Sequence, residues 1–229
     1  MSAQSTRGRR RLRERAHVEY LRGDLPAALR LMEEAEDQSA ALDLGGSRLD
    51  HARVLLEAGL VDDAATLLGQ AAEDFRTIGM PSEQSDAELD LARCELLRGR
   101  PREARALAAE VAARDAARGD TERELEARLV RLESSVATGP APSAVPGDGR
   151  EEALAVAAEA RRVGLARLAL HADVLAALID VPLGRLADAA AELAGASLLA
   201  DSPHLATRTL LGRAGWFSPS PRETGTRRG

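Results

Sequence analysis

The stretch GDLPAALRLMEEAE, Gly23 to Glu36, decides how this chain folds. Gly23 closes an apolar run at helical spacing, as a residue that tolerates the positive φ of a helix end. Asp24 and Pro26 suit the start of a new helix. Ala28, Leu31 and Ala35 then share one face, with small residues seven apart. The segment reads as helix end, tight turn and second helix.

The same frame recurs around Gly59 in LEAGLVDDAA and Gly99 in LLRGRPREAR, at spacings of 36 and 40 residues. Five residues after each glycine stand Ala28, Ala64 and Ala104; eight after stand Leu31, Leu67 and Leu107; twelve after stand Ala35, Ala71 and Val111. Seven before stand Ala16, Ala52 and Ala92, and three before stand Tyr20, Leu56 and Leu96. Agreement at the glycine and at five offsets from it in three copies identifies an internal repeat. A second break is expected at Gly45, Gly79 and Gly119, so each unit is helix A, turn, helix B, break. That pattern predicts an all-α solenoid of antiparallel helix pairs.

Composition agrees. Apolar residues make up 45% of the 229 and aromatics 2%, namely Tyr20, Phe75, Trp216 and Phe217, so the core is aliphatic. Ala, Leu, Glu and Arg are good helix formers, and no stretch alternates as a strand does. The net charge of −6 gives no general nucleic-acid footprint, although six arginines crowd Arg7 to Arg15. All 31 basic residues are arginine. No apolar run reaches the roughly 18 residues of a membrane span. No apolar segment follows the N-terminal arginines as a secretory signal requires. Cys94, the single cysteine, allows no intrachain disulfide and suits a cytoplasmic location.

A fourth helix A fits Thr121 to Ala137. The stretch GPAPSAVPGDG, Gly139 to Gly149, interrupts the array, and a helix B fits Glu151 to Val163. A fifth unit reads around Gly184, with Ala177, Ala189 and Ala196 at the repeat offsets, although Pro182 falls where its helix A should end. The offsets Ala16, Gly23, Ala28, Ala35 and Ala52, Gly59, Ala64, Ala71 resemble the helix-pair signature of the tetratricopeptide repeat (TPR). The early Trp, the helix B aromatic and the closing Pro of that signature are absent here. The organisation that follows is a basic N-terminal arm (1–11), TPR-like repeats 1 to 3 with helix A of repeat 4 (12–137), a flexible Pro/Gly loop (138–150), degenerate TPR-like helices (151–200) and a mostly disordered tail (201–229). The style of LDHARVLLEAGLVDDAATLL, Leu49 to Leu68, also resembles the repeat region that precedes caspase-like CHAT domains in actinobacterial proteins. That resemblance implies a repeat region whose protease lies outside this chain.

Catalytic and metal patterns are missing. Cys94 and His51 lie on different repeats without a cysteine-protease signature. His17, His51, His171 and His204 are isolated from one another, with no His-x₃-His or Cys-x₂-Cys, so no metal site is expected. No glycine-rich phosphate loop occurs, and no cofactor is expected. What does recur is arginine. Arg53 and Arg93 stand six residues before their glycines, Arg128 matches them through its Ala-Arg pair, and His17 holds the position in the first repeat.

The TPR resemblance implies that helix A lines a concave groove. The groove residues are then His17, Tyr20, Leu49, Arg53, Leu56, Leu89, Arg93, Leu96 and Arg128. Two readings stand open. The arginines form a cradle for an acidic peptide or a C-terminal carboxylate, or Arg53 pairs with Asp50 and Arg93 with Asp90 or Glu95. The expected function is a non-catalytic scaffold that binds a protein or peptide in the groove. The alternatives are a regulatory region of a CHAT protease system and a regulator touching nucleic acid through the Arg-rich N-terminus.

Overall fold

A computed structural model of the chain describes residues 3–39, 41–138 and 148–180. Among them run nine α-helices and no strand: α1 (Ala3–Leu21), α2 (Leu25–Asp37), α3 (Ala41–Glu57), α4 (Val61–Ile78), α5 (Pro81–Leu97), α6 (Pro101–Arg118), α7 (Thr121–Thr138), α8 (Asp148–Arg162) and α9 (Ala166–Asp180). The fold is an all-helical repeat solenoid, as the spacing predicts.

The turns follow from local chemistry. Gly23, Gly59 and Gly99 take φ of 85°, 79° and 74°, left-handed values that cost a glycine nothing. Around Gly59 the amide of Gly59 donates to Leu56 O and that of Leu60 donates to Leu55 O, a Schellman closure that satisfies the last carbonyls. Gly79, Gly119 and Gly164 close α4, α6 and α8 in the same way. Asp24 caps α2 by accepting from Ala27 N at 3.0 Å. Pro81 and Pro101 open α5 and α6, where their missing N–H costs nothing.

The repeat alanines are the packing points. Ala16, Ala52 and Ala92, Ala28, Ala64 and Ala104, and Ala35 and Ala71 are all fully buried, as is Val111. A methyl group at these sites lets helix A and helix B approach closely. Around them Leu68, Leu89, Leu125, Leu129, Leu132 and Leu175 fill an aliphatic core. Consecutive helices pack along the chain, and the odd-numbered helices also touch one another in sequence. The even-numbered helices meet far less, so the odd layer is the tighter, inner side of the curve.

One expectation changes, at the second break of the first repeat. Gly45 is no break: it lies inside α3, and the α2–α3 boundary has no glycine. A Cβ on Gly45 would come within 3.1 Å of Asp74 Cβ and the Phe75 ring, so glycine there lets α3 close onto α4. The stretch 1–11 is helical from Ala3, because arginine is a good helix former. Past the interruption, α8 begins at Asp148 and ends before Gly164, and α9 takes the place of the next helix A. Ala177 is buried in α9, whereas Gly184, Ala189, Ala196 and the tail 201–229 lie outside the described residues.

Candidate interaction groove

Ion pairs link each helix of the inner layer to the next. Arg13 of α1 donates to Asp50 of α3 at 3.0 Å. Arg53 of α3 donates to Asp90 of α5 at 2.9 Å. Arg123 of α7 grips Asp86 of α5 with two bonds of 2.8 and 3.2 Å. All three pairs are separated by 37 residues, about one repeat. The series continues from α7 to α9, with Arg167 on Glu126 at 3.0 Å and His171 Nε2 2.8 Å from Glu133 Oε1.

The expected row of arginines is therefore occupied from within. Asp90 accepts from Arg53 and, at 2.8 Å, from Arg93. Burial alone would lower the pKa of Arg93, but Asp90, Glu133 and Glu126 outweigh it and raise it. Arg53 pairs with the next repeat's aspartate rather than with Asp50, because inner helices lie side by side at this level. Arg128 turns toward α8, 3.6 Å from Glu152 and 3.7 Å from Glu124 of its own helix. The three arginines do not form one exposed row.

The other expected groove residues divide. Leu49 and Leu89 are buried in the core, and Leu56 and Leu96 are half-buried against it. His17, Tyr20 and Arg53 do come together. With Arg13, Glu14, Met32, Asp50, Val54 and Glu57 they line a cavity of about 560 Å³ between α1 and α3. Met32 and Val54 form its apolar floor, with Tyr20 packed against them. The cleft lies where α1 and α3 meet at few points. Sequence reasoning missed Arg13, Met32 and Val54; the 37-residue offset between Arg13 and Asp50 was the available signal for the first.

Other chemistry is sparse. Cys94 is fully buried, and burial, followed by Asp90 and Glu95, pushes its thiol up to about 12, so it stays protonated at neutral pH. His51 Nδ1 sits 2.5 Å from Glu36 of α2 and makes no pair with Cys94. Among the described residues no group of three or more His, Cys, Asp or Glu could hold a metal ion. No described helix is long and apolar enough to cross a membrane. Elsewhere on α1, Arg11, Arg15 and Arg22 surround exposed Val18, with Glu14 and Glu19 interspersed.

No known family's sequence model matches the chain, and no curated protein matches it. Solved structures do resemble it. Two crystal structures of a Podosopora anserina "putative kinesin light chain" with nearly identical TPR-like repeats, one of them a point variant, are similar at 18% identity. They superpose with TM-scores of 0.67 and 0.65, covering 94% and 93% of this chain and 99% of each of theirs. A signal-transduction ATPase with numerous domains (STAND) bearing a tetratricopeptide repeat sensor, from Pyrococcus horikoshii, is similar at 15% identity and TM-score 0.60. That match covers 90% of this chain and 31% of the other. The class is thereby defined as a TPR-like helical repeat protein in fold.

Proposed function

We propose that the chain is a non-catalytic protein-interaction scaffold, and that the cleft between α1 and α3 is where a partner inserts apolar side chains. The carrying observation is the cleft itself: an apolar floor of Met32 and Val54, a Tyr20 wall, and flanking arginines that hold Asp50 and Asp90. An acidic peptide would have to displace those carboxylates, and it would meet Glu14, Asp50 and Glu57 in the lining. The acidic-cradle reading is therefore disfavoured, and apolar anchoring takes its place. Ligand pockets of this type combine apolar walls with few oriented polar groups.

The STAND neighbour carries its repeats as a sensor within a larger protein. It supports a second reading, in which this scaffold controls an enzyme carried elsewhere; the resemblance of Leu49 to Leu68 alone makes a caspase-like CHAT protease the candidate.

The test is affinity. A partner isolated on the purified chain should bind Tyr20→Ala about tenfold more weakly, the loss of about 1.4 kcal/mol expected of an aromatic wall. Gln70→Ala, on the exposed side of α4, should leave binding unchanged. Equal affinities for the wild type and Tyr20→Ala would refute the groove.

A further inference from the structure

We propose that the exposed stripe Arg11, Arg15, Val18 and Arg22 is a second docking surface, and that its occupant is an acidic helix of another protein, seated where a preceding repeat would pack. It lies apart from the α1–α3 cleft, whose lining holds none of the four.

The repeat frame identifies the stripe. Arg11, Arg15, Val18 and Arg22 stand twelve, eight, five and one residues before Gly23, a spacing that keeps them on one helix face. The same offsets before Gly59 hold Ser47, His51, Val54 and Ala58, and before Gly99 hold Ala87, Leu91, Cys94 and Arg98. In those two repeats helix B of the unit before covers this face. Val54 packs with Met32 of α2, and Cys94 belongs to the cluster that holds Leu68 of α4. Ser47, His51, Val54, Ala87 and Cys94 are buried there. In the first repeat Val18 is 44% exposed, and Arg11, Arg15 and Arg22 are exposed too. Among the described helices α1 packs chiefly against α2 and α3, which leave the stripe open.

Charge says what would cover it. The end of a helical array needs a polar face for solubility, which either sign provides. Here three of the four stripe positions are arginine. Arg11 and Arg15 have no hydrogen-bond or ion-pair partner among the described residues, and Arg22 bonds Glu19 at an exposed site. Glu14 stands at the offset of Asp50 and Asp90, on the cleft side of the stripe.

The covered repeats show the chemistry that answers these positions. His51, the counterpart of Arg15, lies 2.5 Å from Glu36 of α2. Arg98, the counterpart of Arg22, pairs with Asp62 of α4 at 2.9 Å. Asp62 stands three residues after its glycine, Met32 and Leu68 nine after theirs, and Glu36 thirteen after its own. The order is reversed between the two helices, so the covering helix runs antiparallel to the one it covers. The occupant of the stripe is thus a helix with a carboxylate, an apolar residue six positions on and a second carboxylate four beyond that. These meet Arg22, Val18 and Arg15 in turn. Arginine holds such carboxylates by charge-assisted bonds, and complementary charge steers the encounter.

The chain itself supplies a probe. A synthetic Val61–Ile78 peptide carrying Ala72→Glu presents Asp62, Leu68 and the added carboxylate at those positions. A side-chain bridge on its far side keeps it helical, since isolated helices of this length are marginal. Fluorescence anisotropy should show binding to the full chain, and about tenfold weaker binding to Arg15→Glu/Arg22→Glu with unchanged far-UV circular dichroism. A peptide with Asp62→Arg and Ala72→Arg should reverse the preference and bind the double variant better than the wild type. If the double variant loses helix, Val18→Glu, at an exposed site, should weaken the first peptide in its place. Tyr20→Ala, in the cleft, should leave that binding unchanged. Equal affinity for the wild type and the folded double variant would overturn the proposal. So would loss of binding in Tyr20→Ala, which would put the peptide in the cleft. A random DNA duplex bound more tightly than the peptide, and lost in the same variant, would assign the stripe to nucleic acid. A wild-type dimer in sedimentation that the variant abolishes would assign it to a second copy. Either result overturns the acidic helix.

Discussion

Glycines illustrate how one residue type does opposite things in this chain. Gly69 lies mid-way along α4, exposed, with nothing within 4 Å of an added Cβ. Gly69→Ala should stabilise the protein by about 0.5–1 kcal/mol, because alanine restricts the unfolded chain and favours helix. Gly45→Ala gains the same propensity but drives a methyl to 3.1 Å from Asp74 Cβ, which is fixed to the α4 backbone, and from the buried Phe75 ring. It should cost about 1–2 kcal/mol net. Urea denaturation of both variants measures the contrast, and a Gly45→Ala chain as stable as Gly69→Ala would disprove the close approach. Cys94 carries a second residue-scale prediction. Its thiol ionises near 9.0 when unperturbed and at about 12 in the fold. The folded value is raised, so its contribution is complete below pH 9 and is lost as pH climbs toward 12. The full difference corresponds to about 4 kcal/mol at most. Denaturation midpoints at pH 8 and 10.5 should fall further for the wild type than for Cys94→Ala; equal losses would count against the burial.

At the scale of the helix pair, repeats 2 and 3 carry one ion pair with its charges exchanged. Arg48 of α3 bonds Asp74 of α4 at 2.6 Å, and Arg114 of α6 bonds Glu88 of α5. In both units the partners stand eleven residues before the glycine and fifteen after it. Exchange of sign keeps the attraction within a unit while opposing the wrong pairing of α3 with α6, since Arg48 and Arg114 repel. Arg48→Glu should destabilise by about 1–2 kcal/mol, because it faces Asp74 at a half-buried site. Adding Asp74→Arg should recover most of that loss. A double variant no better than the single one would show that the pair has no coupling, as a double-mutant cycle reports directly.

Over the whole molecule, stacking is nearest-neighbour, so cooperativity depends on the joints between repeats. Asp90 is the joint with most at stake. It is 8% exposed and holds both Arg53 and Arg93. Asp90→Asn should cost about 3 kcal/mol, since it leaves the largely buried Arg93 guanidinium without its main counter-charge. Arg53→Ala should cost under about 1 kcal/mol, because its side chain is half exposed. The Asp90→Asn transition should also broaden, with amides of α1–α4 exchanging before those of α5–α9. A sharp, unshifted transition would show that the joint carries little coupling.

The glycine frame and the alanine positions were legible in the amino-acid sequence alone, because both obey local rules. A left-handed turn admits glycine, and a close helix contact admits a methyl, wherever the unit repeats. Gly23, Gly59 and Gly99, with Ala28, Ala64 and Ala104, therefore announced the solenoid without any coordinates. Gly45 misled, since a glycine in sequence is the same letter whether it ends a helix or lets two helices touch. The groove was legible only in part. His17, Tyr20 and Arg53 reach one cleft, but Arg93 is held by Asp90 and Arg128 turns to Glu152. Side-chain pairing across repeats depends on how far each helix is displaced and rotated against the next. That displacement is a property of the packed stack, so only the tertiary structure decided which charges neutralise one another and that a cleft opens between α1 and α3.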